Sequence, residues 1–199
     1  MTHLEPRADP IADPITAVSP WNIANALTVL RLLLVPFFAV ALLRADGEDR
    51  WRVAACVLFA VASLTDRVDG ELARRRGLVT EFGKLADPIA DKALIGAALV
   101  SLSALGDLSW WVTAAILARE VGITVLRFWV IRHGVLAASR GGKVKTVLQA
   151  LAIGLLILPL SGTWHTVADW VMAAAVVLTL VTGADYIARA LRLRRVATA

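Results

Sequence analysis

The chain has 199 residues, 58% of them hydrophobic and 19% charged, with a net charge of +5 and a mean hydropathy of +0.71. That is far more apolar than a soluble domain needs, so an ordinary water-soluble enzyme is excluded and an all-α integral membrane protein is indicated. The lone cysteine, Cys56, lies in an apolar run and excludes an intrachain disulfide.

Residues 1–20 come first, with four prolines and the mixed charges Glu5, Arg7, Asp9 and Asp13. Lacking a basic start followed by an apolar stretch, they read as a disordered cytosolic tail and not a signal peptide. A membrane-crossing helix takes about 20 mostly apolar residues, because the hydrocarbon core is roughly 30 Å thick and a helix rises about 1.5 Å per residue. Six segments meet or approach that length, at 25–43, 53–76, 84–105, 109–132, 144–162 and 165–190, joined by short polar or glycine-containing connections. No internal repeat is visible. The expectation is one domain over 21–190, a bundle of six transmembrane helices with a cytosol-facing polar cavity, and a basic cytosolic tail at 191–199.

Basic residues gather in alternate connections: Arg74, Arg75, Arg76 and Lys84, then Arg132, Arg140, Lys143 and Lys145, then Arg189, Arg192, Arg194 and Arg195. The intervening connections are poorer, with Arg44, Arg50 and Arg52 balanced by Asp46, Glu48 and Asp49, then Asp107, then no Lys or Arg at 161–166. By the positive-inside rule both termini are cytoplasmic, in a cell (inner) membrane. The basic residues lie at helix ends, where anionic lipid head groups sit, so no nucleic-acid partner is expected. Trp21, Trp51, Trp110, Trp111 and Trp164 fall near helix ends as interfacial anchors. His3 and His133 read as solvated or interfacial, and His165 lies on the side away from the charged cluster.

Charges inside spanning helices cost a few kcal/mol each unless paired, hydrated or bound to an ion. Here they fall in the cytoplasmic half: Asp66, Arg67, Asp69 and Glu71 end the second helix, Asp87, Asp91 and Lys92 begin the third, and Arg119, Glu120 and Arg127 lie in the fourth. Asp66 and Asp69 are i and i+3, and Asp87 and Asp91 are i and i+4, so each pair shares a helix face. A hairpin brings the two faces together, and a divalent cation relieves the repulsion of four converging carboxylates. With oxygen ligands and no nearby His or Cys, Mg²⁺ or Mn²⁺ fits best. Gly70, Ala73 and Arg74 border that site with a missing side chain, a small one and a fixed positive charge, which suits a phosphate-bearing ligand pressed close to backbone. Taken singly, Asp69-Gly70 also reads as a turn, Asp87-Pro88 as an N-cap with proline after it, and Arg74, Arg75 and Arg76 as ordinary basic residues at a helix end.

The spacing Asp66, two residues, Asp69-Gly70, two residues, Ala73-Arg74, eight residues, Gly83, three residues, Asp87, three residues, Asp91 resembles the signature of the CDP-alcohol phosphatidyltransferase family. The resemblance runs from Trp21 to about Ile187. It implies a six-helix fold, a homodimer, and transfer of a phosphatidyl group from a CDP-lipid to an alcohol with release of CMP. Carried over by position, it implies Asp66, Asp69, Asp87 and Asp91 as metal ligands and Asp91 also as the general base. Gly70, Ala73, Arg74 and Thr80 are implied in holding the CDP-lipid, with Asn25 and Thr28 near the nucleotide. Where the family commonly has proline before the asparagine of the first motif this chain has Ala24, which bears on the approach angle of that helix.

Three further stretches, "NIANALTVLR", "ARE" followed by "ITVLR", and "GVLAASRGGKVKT", resemble the bacterial phosphatidylglycerophosphate synthases within that family. Their acceptor, sn-glycerol 3-phosphate, is an anion, and Arg119, Arg127, Lys143 and Lys145 are the candidates to hold its phosphate. Alternatively, Arg119 and Glu120 pair with carboxylates inside the bundle, and Arg140 to Lys145 form a glycine-hinged loop at the head groups. Phosphatidylinositol phosphate synthases and cardiolipin synthases are alternatives within the family. From a different class, a divalent-cation transporter would need charges through both halves of the bundle, and the outer half has almost none. Arg67 and Glu71 receive no role.

Overall fold

The computed structural model describes residues 22–76, 80–130 and 140–197, with the backbone alone described at 24, 66–76, 81, 84, 85, 127–130, 140–143 and 191–197. The expected tail at 1–20, Trp21, His3 and His133 lie outside the described residues. Six α-helices and no strand are present among those described: α1 (Ile23–Leu43), α2 (Asp49–Arg76), α3 (Glu81–Ala104), α4 (Trp110–Val130), α5 (Arg140–Ile157) and α6 (Thr163–Ala197).

All six expected helices are found, and the differences lie at their ends. The N-cap of α3 is Thr80, whose side chain accepts from Gly83 N, so Asp87 and Pro88 stand inside the helix and not at its start. Helix α2 runs unbroken to Arg76, which removes the reading of Asp69-Gly70 as a turn. Arg140 to Lys145 belong to α5, so the glycine-hinged loop predicted there is the first turn and a half of a helix. The basic segment expected as a tail from residue 191 continues α6 through Ala197.

Helices α1 and α3 run the same way and α2 runs against α3 and α5, as cross-links along the bundle show. Near one end Asn25, early in α1, meets Thr80 at the cap of α3, and toward the middle Lys145 of α5 meets Glu120, halfway along α4, and Arg119 of α4 meets Thr182, just past the midpoint of α6. At the opposite end Arg52, early in α2, donates to Asp107 in the α3–α4 turn at 2.7 Å and to the Leu156 carbonyl at the end of α5 at 3.4 Å. That turn closes on Gly106 at φ 83°, a left-handed conformation suited to glycine. Gly106 N bonds Ser103 O and Asp107 N bonds Leu102 O, the two bonds that cap α3 and aim Asp107 at Arg52.

Polarity is segregated along the bundle. Phe38, Leu42, Phe59, Leu99, Leu102, Ile116, Ile153 and Ile157 form a dry core toward the Arg52 end. Toward the other end the buried residues include Asn25, Thr28, Arg31, Thr80, Lys145 and Gln149. The outer surface is apolar, with Leu33, Phe37, Val61, Val121, Trp170 and Val181 all exposed. Among the described residues two helices are by themselves long and apolar enough to cross a membrane, at Asn25–Leu43 (mean hydropathy 2.4) and Thr163–Ala190 (1.8).

Candidate functional site

A cluster of polar side chains is built where α1 and α3 start. Asn22 caps α1 by accepting from Asn25 N at 3.0 Å, which sets the register of Asn25, Thr28 and Arg31 along one side of the helix. Asn25 Oδ1 accepts from the Thr80 hydroxyl at 2.9 Å, and that same oxygen of Thr80 accepts from Gly83 N at 3.0 Å. One hydroxyl thus caps α3 and ties it to α1. Gly83 makes the contact possible, because a Cβ there would lie 2.9 Å from Asn25 Oδ1 and 3.3 Å from Thr80 Oγ1.

One turn further in, the Thr28 hydroxyl donates to Asp87 Oδ1 at 2.5 Å. Thr28 is 1% exposed, so this bond orients the carboxylate from a dry side. Arg31, also 1% exposed, follows three residues later. Asp87 and Asp91 are one turn apart on α3. The backbone of α2 carries positions 66, 69, 70 and 73 on one stripe by helical register, and α2 packs on α1 and α3. The side chains of Asp66, Asp69, Gly70, Ala73 and Arg74 lie outside the described residues. Asp87 and Asp91 supply carboxylate oxygens, the kind of donor a hard divalent cation takes. Among the described residues no three acidic, histidine or cysteine side chains gather in one place. His165 is on α6 in an exposed pair with Asp169 at 3.2 Å.

On the other side of Asp91 a cavity of about 170 Å³ opens between α3, α4 and α5, lined by Asp91, Lys92, Glu120, Lys145, Thr146 and Gln149 with apolar Ile95, Leu117 and Val121. Glu120 Oε1 accepts from Lys145 and, at 3.0 Å, from Arg119. Arg119 is drawn away from the cavity by a second bond to Thr182 Oγ1 at 3.2 Å, and it packs on Gly183, where a Cβ would come within 3.1 Å of Arg119 Cγ. Lys92 donates to Thr124, whose hydroxyl donates in turn to the Glu120 carbonyl at 2.8 Å.

Of the residues expected from the sequence, the structure brings Asn25, Thr28, Thr80, Asp87 and Asp91 together and adds Lys145 across the cavity. It places Arg119 behind Glu120 and off the cavity wall. The side chains of Arg127 and Lys143 lie outside the described residues. Arg31, Gln149 and the shared role of Glu120 were not anticipated. A signal for Arg31 existed, since it is the one charge in the 21 residues of α1. Gln149, an amide in an otherwise apolar stretch of α5, carried a weaker signal of the same kind.

Residues 21–181 match the family model for CDP-alcohol phosphatidyltransferase. The chain is 60% identical over 172 residues to a Mycobacterium tuberculosis (strain H37Rv) protein named "Probable phosphatidylglycerophosphate synthase", covering 86% of this chain and 82% of that one. It is 36% identical over 183 residues to the CDP-diacylglycerol--glycerol-3-phosphate 3-phosphatidyltransferase of Bacillus subtilis (strain 168), covering 85% and 95%. With the Escherichia coli (strain K12) protein of the same name it shares 40% identity over 143 residues, covering 69% and 77%.

Proposed function

The chain belongs to the CDP-alcohol phosphatidyltransferase family, and from that premise we propose that it transfers the phosphatidyl group of CDP-diacylglycerol to sn-glycerol 3-phosphate, giving phosphatidylglycerophosphate and CMP. The observation that carries this reading is the cavity between α3, α4 and α5, which has Asp91 of the signature on one wall and the cation Lys145 on another. A small anionic alcohol is what such a cavity suits. The names of the relatives agree.

The acceptor enters with its phosphate toward Lys145, and Arg119, Arg127 and Lys143 extend the positive field around it. Glu120 holds Lys145 and Arg119 in place while the cavity is without an anion. Asp91 takes the proton of the acceptor's free primary hydroxyl as its oxygen bonds to the lipid-side phosphorus. The bond from that phosphorus to the bridging oxygen breaks, and CMP leaves with the bridging oxygen. Asp66, Asp69, Asp87 and Asp91 would hold Mg²⁺ or Mn²⁺, whose charge neutralises the pyrophosphate and the departing CMP. Thr28 keeps Asp87 aimed, and the Asn25–Thr80 bond keeps α1 against α3. Gly70 and Ala73 leave room for the CDP-lipid against the α2 backbone, with Arg74 on a phosphate oxygen.

The apolar outer surface and the two bilayer-length helices support membrane association, and we extend this to six spans with both termini cytoplasmic. The polar end of the bundle then faces the cytosol, where both the nucleotide and the acceptor are soluble. A homodimer is part of the same reading.

The test is CMP release by purified protein given CDP-diacylglycerol and Mg²⁺ or Mn²⁺, with glycerol 3-phosphate, inositol phosphate or phosphatidylglycerol as acceptor in separate reactions. CMP release with glycerol 3-phosphate is expected. CMP release with inositol phosphate alone overturns the acceptor, and none with any acceptor overturns the transferase reading.

A further inference from the structure

Most polar side chains lining the cavity between α3, α4 and α5 are engaged: Lys92 with Thr124, Lys145 with Glu120, and Asp91 and Thr146 with partners of their own. Gln149 is only 3% exposed and lines the same cavity with an uncharged amide. A primary amide offers two N–H donors and a carbonyl acceptor. In the low-dielectric interior of a bundle a hydrogen bond to such a group is strengthened, so the amide is disposed to bond whatever fills the cavity.

We propose that Gln149 is a specificity-determining residue that recognises the secondary hydroxyl of the acceptor, so that the enzyme selects a glycerol phosphate over an alkanol phosphate lacking that group. The proposal rests on the phosphatidyl-transfer reading above. Gln149 stands one turn beyond Lys145 on α5, about 6 Å along the axis at 1.5 Å per residue, and Asp91 faces both from α3. An acceptor with its phosphate on Lys145 and its attacking hydroxyl at Asp91 bridges the cavity, and its middle carbon then lies beside Gln149. A hydroxyl both donates and accepts. Of the side chains around it, an ammonium only donates and an ionised carboxylate only accepts, whereas the amide does both, as does the Thr146 hydroxyl, which already has a partner. At ~10–15 Å³ for each water, the cavity of about 170 Å³ has room for roughly a dozen waters and so for a three-carbon phosphate.

The experiment compares kcat/KM for sn-glycerol 3-phosphate with that for propane-1,3-diol monophosphate, which keeps the phosphate and the primary hydroxyl but lacks the secondary one. Wild type is expected to favour glycerol 3-phosphate by at least about tenfold, since a site built to bond a hydroxyl rejects the analogue without it. Gln149→Leu is expected to bring that ratio to near unity, by losing activity toward glycerol 3-phosphate and little toward the diol phosphate. KM for CDP-diacylglycerol stays within about twofold in the variant, in keeping with a contact to the acceptor alone. Gln149→Met, which keeps the length of the side chain, gives the same result and serves if the leucine variant does not fold. A wild type indifferent to the secondary hydroxyl overturns the proposal, as does a variant that loses activity equally toward both acceptors or keeps the wild-type ratio. CMP release with neither acceptor overturns the transferase reading itself, and this proposal with it.

Discussion

Thr28 and Asp87 are 59 positions apart, yet the threonine hydroxyl reaches Asp87 Oδ1 at 2.5 Å. By position Thr28 was expected near the nucleotide, and the geometry gives it a carboxylate to orient as well. Its partner is one of the four signature aspartates, proposed above as metal ligands, so the bond fixes how that carboxylate presents its second oxygen. Residues that orient metal ligands in this way typically account for about 10–100-fold in metal affinity or activity. Thr28→Val, which keeps the shape and removes the donor, is therefore expected to raise the Mn²⁺ concentration needed for half-maximal CMP release by about tenfold. Thr28→Ser should retain the wild-type requirement, and an unchanged requirement in the valine variant would show that Asp87 does not depend on this bond. The lone arginine of α1 belongs to the same scale. Arg31 was legible as a charge in an apolar helix, but a linear pattern does not show that it is fully enclosed one turn from Thr28.

At the scale of elements, the contact between α1 and α3 depends on a glycine. Signature spacing picked out Gly83 without a reason, and the structure supplies one: Asn25 Oδ1 occupies the space a Cβ would take, at 2.9 Å. Asn25 is 5% exposed and held by the Thr80 hydroxyl, so it has little freedom to withdraw. Gly83→Ala should lower stability by about 1–3 kcal/mol, the usual range for overpacking a close contact. Thermal unfolding in detergent measures this, and adding Asn25→Ala should recover part of the loss by removing the opposing oxygen. Full additivity of the two changes would mean that the clash lies elsewhere. Helix ends were the least legible part of the elements. The start of α5 at Arg140 and the continuation of α6 to Ala197 come from segments whose basic and glycine content reads as loop or tail.

Across the described residues, the Asn25–Thr80 end is polar and the opposite end is held by an apolar core and a charged tie between helices. Arg52 joins α2 to the α3–α4 turn and to the end of α5, with Arg52 and Asp107 side chains 19% and 22% exposed. Such a partly buried pair stabilises mainly because removing one member strands the other. Arg52→Leu is expected to cost about 1–3 kcal/mol, the penalty of an unmatched partly buried group, read as a lower unfolding temperature in detergent. The kcat for CMP release should stay within about twofold, because the tie lies at the far end of the bundle from Asp91. Arg52→Leu with Asp107→Leu should regain part of the stability. A large fall in kcat at unchanged stability would instead connect the two ends of the molecule.

The sequence by itself determined the all-α class, the six helices and the signature of four aspartates with Gly70, Gly83 and Arg74. Composition, apolar run length and i,i+3 or i,i+4 spacing are local properties that need no knowledge of packing. Only the tertiary structure decided that Thr80 caps α3 while reaching Asn25, that Lys145 and Arg119 share Glu120, and that Gln149 lines the cavity beside Asp91. Those are pairings between side chains on different helices, 55 positions apart for Thr80 and Asn25 and 25 for Lys145 and Glu120. They follow from how the helices rotate and cross, which no linear spacing records. Through residues 64–76 the helix continues past every charge to Arg76, a continuity that no count of charges along the chain shows.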